Sequence, residues 1–273
     1  MPVSALLLAL AAAVVHALWN VLLARARDPQ AATAVALVVA ELVFAPVTWA
    51  TWHVHASVWP YAIASSALQL AYFTLLVTAY RVAALSVVYP IARGTAPVLV
   101  LVIGVVALGH GTSVGQVVGI CLVGLGVLLV RGLRPTGGRG AALGLVIACT
   151  IAAYTLVDKQ GLTHAGAIPY LALTMLAPSL IYAGAVARAK GGVALRAEVH
   201  PATIVAGVAT FGAYALVLLA LQRAAAAPVA AVRETSVVLT ALLARRVLRE
   251  QVGWARFAGA GAVVVGIALL SLA

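Results

Sequence analysis

Charge is scarce in this chain. Only 8% of its 273 residues are Asp, Glu, Lys or Arg, and just six of those are acidic. Soluble domains carry about 25% charged residues, so this supply cannot cover a water-facing surface, and a soluble globule is excluded. Cysteine is nearly absent as well. Cys121 and Cys149 lie in separate apolar runs without Cys-x-x-Cys or His spacing, which argues against a disulfide framework or a metal site. The phosphate-cradling Gly-x-x-x-x-Gly-Lys-Ser/Thr loop, His-Glu-x-x-His and Gly-x-Ser-x-Gly do not occur. Gly124-Leu-Gly126 and Gly259-Ala-Gly261 lack the third glycine of a dinucleotide loop. No cofactor, metal or catalytic residue is therefore expected.

What the chain has instead is hydrocarbon. Hydrophobic residues make up 65%, and the mean hydropathy is +1.15. At roughly 20 residues per spanning helix, ten spans would use about 200 residues and leave about 70 for connections. The apolar runs cut at Gly, Pro and charge give spans at 3–23, 32–51, 59–80, 84–107, 113–130, 140–160, 168–187, 202–222, 226–247 and 253–272. Unbroken runs of this length mean helices, because barrel strands would alternate over about ten residues. The first run has no basic leader and ends in Trp19, Asn20 and Arg25 rather than small residues, so it reads as a span and not a cleaved signal. The expected fold is an all-α polytopic membrane protein with ten transmembrane helices.

The formal net charge is +11. The basic residues do not gather on a soluble face, so nucleic acid is not an expected partner. With the N-terminus outside, thirteen of the 17 basic residues fall in cytoplasmic connections, against Lys159 and Arg223 on the other side, with Arg93 and Arg233 inside spans. Lys and Arg accumulate on the cytoplasmic side, so the expectation is a multi-pass protein of the cell membrane with both termini outside. Trp49, Trp52 and Trp59 bracket the second connection, as interfacial anchors do.

The stretch from Ala92 to Val130 repeats in the stretch from Val232 to Leu270 at a shift of 140. Arg93 falls on Arg233, Thr95 on Thr235, Gly119 on Gly259 and Gly126 on Gly266. With small gaps, Ala71-Tyr72 meets Ala213-Tyr214, and Trp19 meets Tyr154. Duplicating a unit with an odd number of crossings turns its second copy upside down. The chain is thus expected to hold two inverted five-helix repeats, residues 1–137 and 138–273, a plan that places a substrate site at the midplane between the halves.

These features resemble the drug/metabolite transporter superfamily, in its EamA-like family of two five-helix repeats. The resemblance rests on His16-Ala-Leu-Trp-Asn20, Ala79-Tyr80-Arg81, Pro90-Ile-Ala-Arg93-Gly-Thr-Ala-Pro97 and the glycine-spaced fifth and tenth spans. It implies transport of small metabolites, often efflux, without ATP hydrolysis. Members often carry Gly-Glu at the hairpin after the fourth span of each half. Here the aligned pairs are Gly109-His110 and Arg249-Glu250, so the first half departs from the pattern.

Ionisable groups inside spans cost about 2.5–3.5 kcal/mol each and usually face a cavity or a partner. Arg93 and Arg233 sit at similar depths from opposite faces. They read either as a cationic site for an anionic group, suited by the planar guanidinium, or as an ion-paired lock between repeats. Pro90 and Pro97 flank Arg93, so the fourth helix is expected to be kinked or locally unwound. Glu41 and Glu234 are the candidate proton carriers. Adjacent helix residues do not face each other, so Arg233 and Glu234 are expected to seek separate partners. His16, Trp19 and Asn20 share one helical face, and with Tyr72, Tyr89, Tyr154 and Tyr214 they are cavity candidates for a planar or amphipathic solute. Gly115 with Gly119, and Ala255 with Gly259, set small-x-x-x-small steps for close packing, which also allow a homodimer. The leading reading is a secondary active transporter, an exporter with proton coupling, whose partners are the bilayer and a small molecule. The alternatives are an integral-membrane enzyme, with His53, His55 and His110 as scattered candidates, and a non-transporting membrane scaffold.

Overall fold

The computed structural model describes residues 1–82, 85–109, 111–131, 138–239 and 254–272. Ten α-helices are present among them: α1 (Val3–Ala24), α2 (Pro29–Ala50), α3 (Trp59–Val82), α4 (Leu85–Val106), α5 (Val114–Arg131), α6 (Gly138–Gly161), α7 (Ala167–Ala197), α8 (Pro201–Arg223), α9 (Ala226–Arg233) and α10 (Trp254–Leu272). Five of them, α1, α2, α6, α7 and α8, are each long and apolar enough to cross a membrane, and α4, α5 and α10 contain shorter apolar stretches. Helices suit that solvent because each satisfies its own backbone donors and acceptors. Large apolar side chains such as Leu7, Val14, Leu42, Ile63, Leu180 and Val264 point outward, where lipid rather than water accommodates them. The chain is a multi-pass membrane protein.

Local chemistry places the helix starts. Asp28 caps α2, its carboxylate accepting from the N–H groups of Gln30 and Ala31 at 3.0 and 3.2 Å, with Pro29 at the first helical position. His200 does the same for α8 ahead of Pro201. Helix α7 runs past its expected end to Ala197, interrupted at Gly191, where φ is +80°, a conformation open to glycine.

The packing crosses between the two halves. Helix α1 lies on α8 and α3 lies on α6, while α2 meets α7, α4 meets α9 and α5 meets α10. The α5–α10 contact is a glycine seam. A Cβ at Gly119 would come within 2.8 Å of the Gly266 carbonyl, and one at Gly126 within 2.5 Å of the Gly259 carbonyl. The early glycine of α5 thus meets the late glycine of α10, and the late one meets the early one, so these helices run antiparallel. Gly119, Gly126, Gly259 and Gly266 are consumed within one chain.

One expectation needs correction. Helix α4 is continuous from Leu85 to Val106 despite Pro90 and Pro97. The break falls in the other half, where α9 ends at Arg233, Glu234 forms its C-terminal cap, and helix resumes over residues 235–239. The residues from 240 to 253, with Arg249 and Glu250 of the hairpin comparison, and His110 lie outside the described set.

Candidate functional site

A cavity of about 470 Å³ lies among α1, α2, α3, α4, α6, α7, α8 and α9. His16, Trp19, Asn20, Tyr72, Arg93, Tyr154, Tyr214 and Arg233 all line it, so eight of the expected cavity residues, drawn from six helices, come together. Tyr89 lies in α4, but its side chain is outside the described set. The cavity reaches exposed Pro29 and Gln30 and so opens at the α1–α2 end.

The first helix contributes a compact polar group. The His16 and Trp19 rings meet edge to face at 4.8 Å, and Asn20 Nδ2 donates to the His16 carbonyl at 2.8 Å. His16 Nε2 lies 3.4 Å from Arg93 Nη2. Since a guanidinium only donates, His16 is the acceptor and its ring is neutral there.

The charged centre is a triad. Glu234 Oε1 accepts from Arg93 Nη1 and from Arg233 Nη2, both at 3.3 Å, and each of the three residues is less than 8% exposed. Adjacent residues Arg233 and Glu234 therefore do face each other. The rule that forbids this holds inside a regular helix, and Glu234 is a cap. Two guanidiniums on one carboxylate leave a formal charge of +1 beside the cavity.

Aromatic rings make most of the wall. Tyr72 stands edge-on to Tyr154 at 6.3 Å and to Phe73 at 5.4 Å, and Phe73 packs on Tyr182 at 5.8 Å. Phe73, Tyr182, Gln69, Met175 and Thr210 were not anticipated. Gln69 had a readable signal, because Ser65, Gln69 and Tyr72 recur at spacings of four and three on one face of an otherwise apolar run. The two carboxylates expected to carry protons are absent from the lining. Glu41 lies on α2 beside Ser179 of α7, and Glu234 stands behind its two arginines.

At the other end of α2 from that opening, the α2–α3 and α6–α7 connections meet in a seam. Val54 and Ala165 form an antiparallel bridge, flanked by His55 N–H donating to His164 O at 2.9 Å and Gly166 N–H donating to His53 O at 3.0 Å. Ser57 Oγ lies 2.7 Å from His55 Nδ1 and 3.0 Å from His164 Nδ1. Tyr61 stacks on His164 at 5.4 Å. His55 and His164 share Ser57 as a hydrogen-bond partner, and no group of three or more metal-ligating side chains occurs among the described residues.

Comparison with known proteins settles the family. A model of the EamA-like transporter family matches twice, over residues 3–132 and 138–272. The chain belongs to that family. EamA-like proteins are membrane transporters of the drug/metabolite type, and the two matched segments meet at the cavity. A solved structure described as "Crystal structure of protein" shares 16% identity, with a TM-score of 0.78 over 98% of both chains; at that identity it shows likeness of fold alone. Among curated proteins none matches.

Proposed function

We propose that this chain is a secondary active transporter that exports a small amphipathic monoanion across the cell membrane by alternating access, coupled to protons. The observation that carries the reading is the cavity itself. It lies between the two matched segments, is walled by aromatic rings, and has the Arg93–Glu234–Arg233 triad with one positive charge in excess. Guanidiniums recognise planar carboxylates in a bidentate manner, and apolar walls with a few polar groups are the usual form of a small-molecule site.

The repeats, residues 1–137 and 138–273, are inverted in this reading. What supports inversion is the crossed glycine seam, where the early half of α5 meets the late half of α10 and the reverse, as a two-fold axis between antiparallel partners requires. The pairing of α1 with α8 and α3 with α6 follows the same symmetry. With both termini outside, as the basic connections favour, the cavity opens toward the cytoplasm at Pro29 and Gln30 and is closed on the outer side by the histidine seam. A cytoplasm-open cavity is what an exporter loads from. Rocking of the halves would part the seam and close the α1–α2 end.

Flux of candidate organic anions into proteoliposomes, measured with and without an imposed pH gradient, tests the reading. Saturable flux that is lost in the Arg93→Ala, Arg233→Ala double variant is expected. Flux that survives that double variant unchanged removes the triad from the site.

A further inference from the structure

We propose that Asp158 is a proton-binding site of this protein, loaded from the cavity through the hydroxyl of Tyr214. Asp158 lies near the end of α6 and is completely buried. Three hydroxyls from three other helices converge on it. Ser65 of α3 donates to Oδ1 at 2.5 Å, Tyr170 of α7 donates to Oδ1 at 3.1 Å, and Tyr214 of α8 donates to Oδ2 at 2.5 Å. Gln69 Nε2 in turn donates to Ser65 Oγ at 3.1 Å.

This shell has a property that separates it from an ordinary structural hydrogen-bond cluster. Every partner of Asp158 is a hydroxyl, and a hydroxyl both donates and accepts. The ionised carboxylate takes three donated bonds. Once protonated, the carboxyl must donate one bond itself, and Tyr214 can turn to receive it. Arginine or backbone N–H partners could not reverse in this way, and Glu234, held by two guanidiniums, has no such freedom. Asp158 is therefore built to persist in both protonation states without orphaning a buried polar group, which costs about 1–3 kcal/mol when it happens.

The route is equally direct. Asp158 does not line the cavity, but Tyr214 and Gln69 do. A hydrated proton in the cavity is taken up on the Tyr214 hydroxyl oxygen, releasing its water, as that hydroxyl passes its own proton to Asp158 Oδ2. The phenol is regenerated, the carboxylate becomes a carboxylic acid, and one positive charge has entered. The charged and titratable groups facing the site from the elements packed on it are Tyr170 of α7, Tyr214 of α8 and Arg233 of α9, whose charge reaches Asp158; Tyr154 of α6 faces Tyr214. The neighbouring Lys159 is turned away, its ammonium donating to the Leu221 carbonyl at 2.5 Å.

Two consequences follow. With Asp158 ionised, Arg93, Arg233, Glu234 and Asp158 sum to zero formal charge, and protonation takes the sum to +1. A proton on Asp158, behind the cavity wall, and a monoanion in the cavity then favour each other, so the two would move together. The Ser65–Asp158 bond also ties the first matched segment to the second, and protonation leaves Ser65 facing a neutral carboxyl. This consequence for coupling rests on the transport reading; the proton site itself does not.

The test needs no solute. Infrared difference spectra of the purified full chain, recorded across a pH titration, report buried carboxyls through the band of the protonated C=O, and only six carboxylate side chains are present in the sequence. One titrating buried-carboxyl band is expected, lost in Asp158→Asn and retained in Glu41→Gln and Glu234→Gln. Tyr214→Phe keeps the carboxyl and removes the relay, so its band is expected to move to higher frequency with an altered midpoint; this variant reads the site even if Asp158→Asn does not fold. A band that survives Asp158→Asn, a band lost instead in Glu41→Gln or Glu234→Gln, or a Tyr214→Phe band identical to the wild type overturns the proposal. A confirmed band in a protein that moves no anion would leave the proton site standing and sink the transport reading.

Discussion

Glu234 Oε1 sits 3.3 Å from Arg93 Nη1, and this contact joins the fourth helix of the first half to the broken ninth helix of the second. Both side chains are almost wholly enclosed. Burying such a pair is costly unless the geometry is good, and removing one partner leaves an uncompensated charge at about 3–5 kcal/mol.

Glu234→Ala should therefore destabilise strongly, because it leaves Arg93 and Arg233 side by side without their shared acceptor. A loss of about 3–5 kcal/mol is expected, read as a lower melting temperature in detergent. Arg93→Ala in the Glu234→Ala background should cost far less than Arg93→Ala alone. Additive losses in that double-mutant cycle would show that the two residues are not energetically coupled.

A weaker ion pair at the open end gives the pH dependence. The Lys190 ammonium, hydrogen-bonded to Asp28 at 2.6 and 2.7 Å, holds the Asp28 carboxyl below its usual range, and the Ala31 N–H adds to the effect. A carboxyl lowered in the folded state contributes stability that is present above the ordinary carboxylate range and lost as pH falls through the folded value. The pair is about 30% exposed on each side, so its contribution is only about 0.2–1 kcal/mol. Lys190→Met should flatten the acid limb of a melting-temperature profile below about pH 4 and leave neutral pH almost unchanged. An acid limb identical to the wild type would dissociate Lys190 from Asp28.

The span boundaries were legible because in lipid a helix must be a long apolar run with short polar interruptions, and α6 and α8 differ from expectation by two residues or fewer at each end. The cavity residues were legible for a related reason: polar and aromatic groups are conspicuous in such a background. What sequence could not supply was the reach of one element toward another. In the sequence Asp158 is one acid near the end of an apolar run, and its hub role depends on Ser65, Tyr170 and Tyr214 arriving from three other helices. The helix break was misplaced for a different reason. Prolines mark where a break is tolerated, but α4 absorbs two of them, whereas the chain actually turns at Glu234, where a carboxylate meets two guanidiniums.

The glycine seam makes a sharp steric prediction. A Cβ at Gly259 would come within 2.6 Å of the Gly126 carbonyl, and one at Gly266 within 2.6 Å of the Gly119 carbonyl. The obstacles are backbone atoms, which cannot rotate aside. Gly259→Val should push α5 and α10 apart at a cost of about 1–3 kcal/mol or more, visible as loss of a monodisperse peak in size-exclusion chromatography. Gly261→Ala is the control, since nothing lies within 4 Å of its Cβ position. Equal behaviour of the two variants would refute the seam.

The seam between the α2–α3 and α6–α7 connections can be tested by locking it. Val54 and Ala165 pair across the seam with hydrogen bonds from their neighbours rather than from themselves. Their Cα atoms thus belong to the close class of antiparallel pairs, about 4.5 Å apart, within the span a disulfide bridges. Val54→Cys with Ala165→Cys, made after replacing Cys121 and Cys149 by alanine, should oxidise readily into a cross-link between the two halves. In the alternating-access cycle proposed above this seam parts once per turnover, so oxidation should abolish flux of any transported anion, and reductant should restore it. Binding at the cavity, still open at the α1–α2 end, should persist in the oxidised protein, measured as retained protection from thermal unfolding by that anion. Full flux with the cross-link in place would mean that the seam does not gate the cavity.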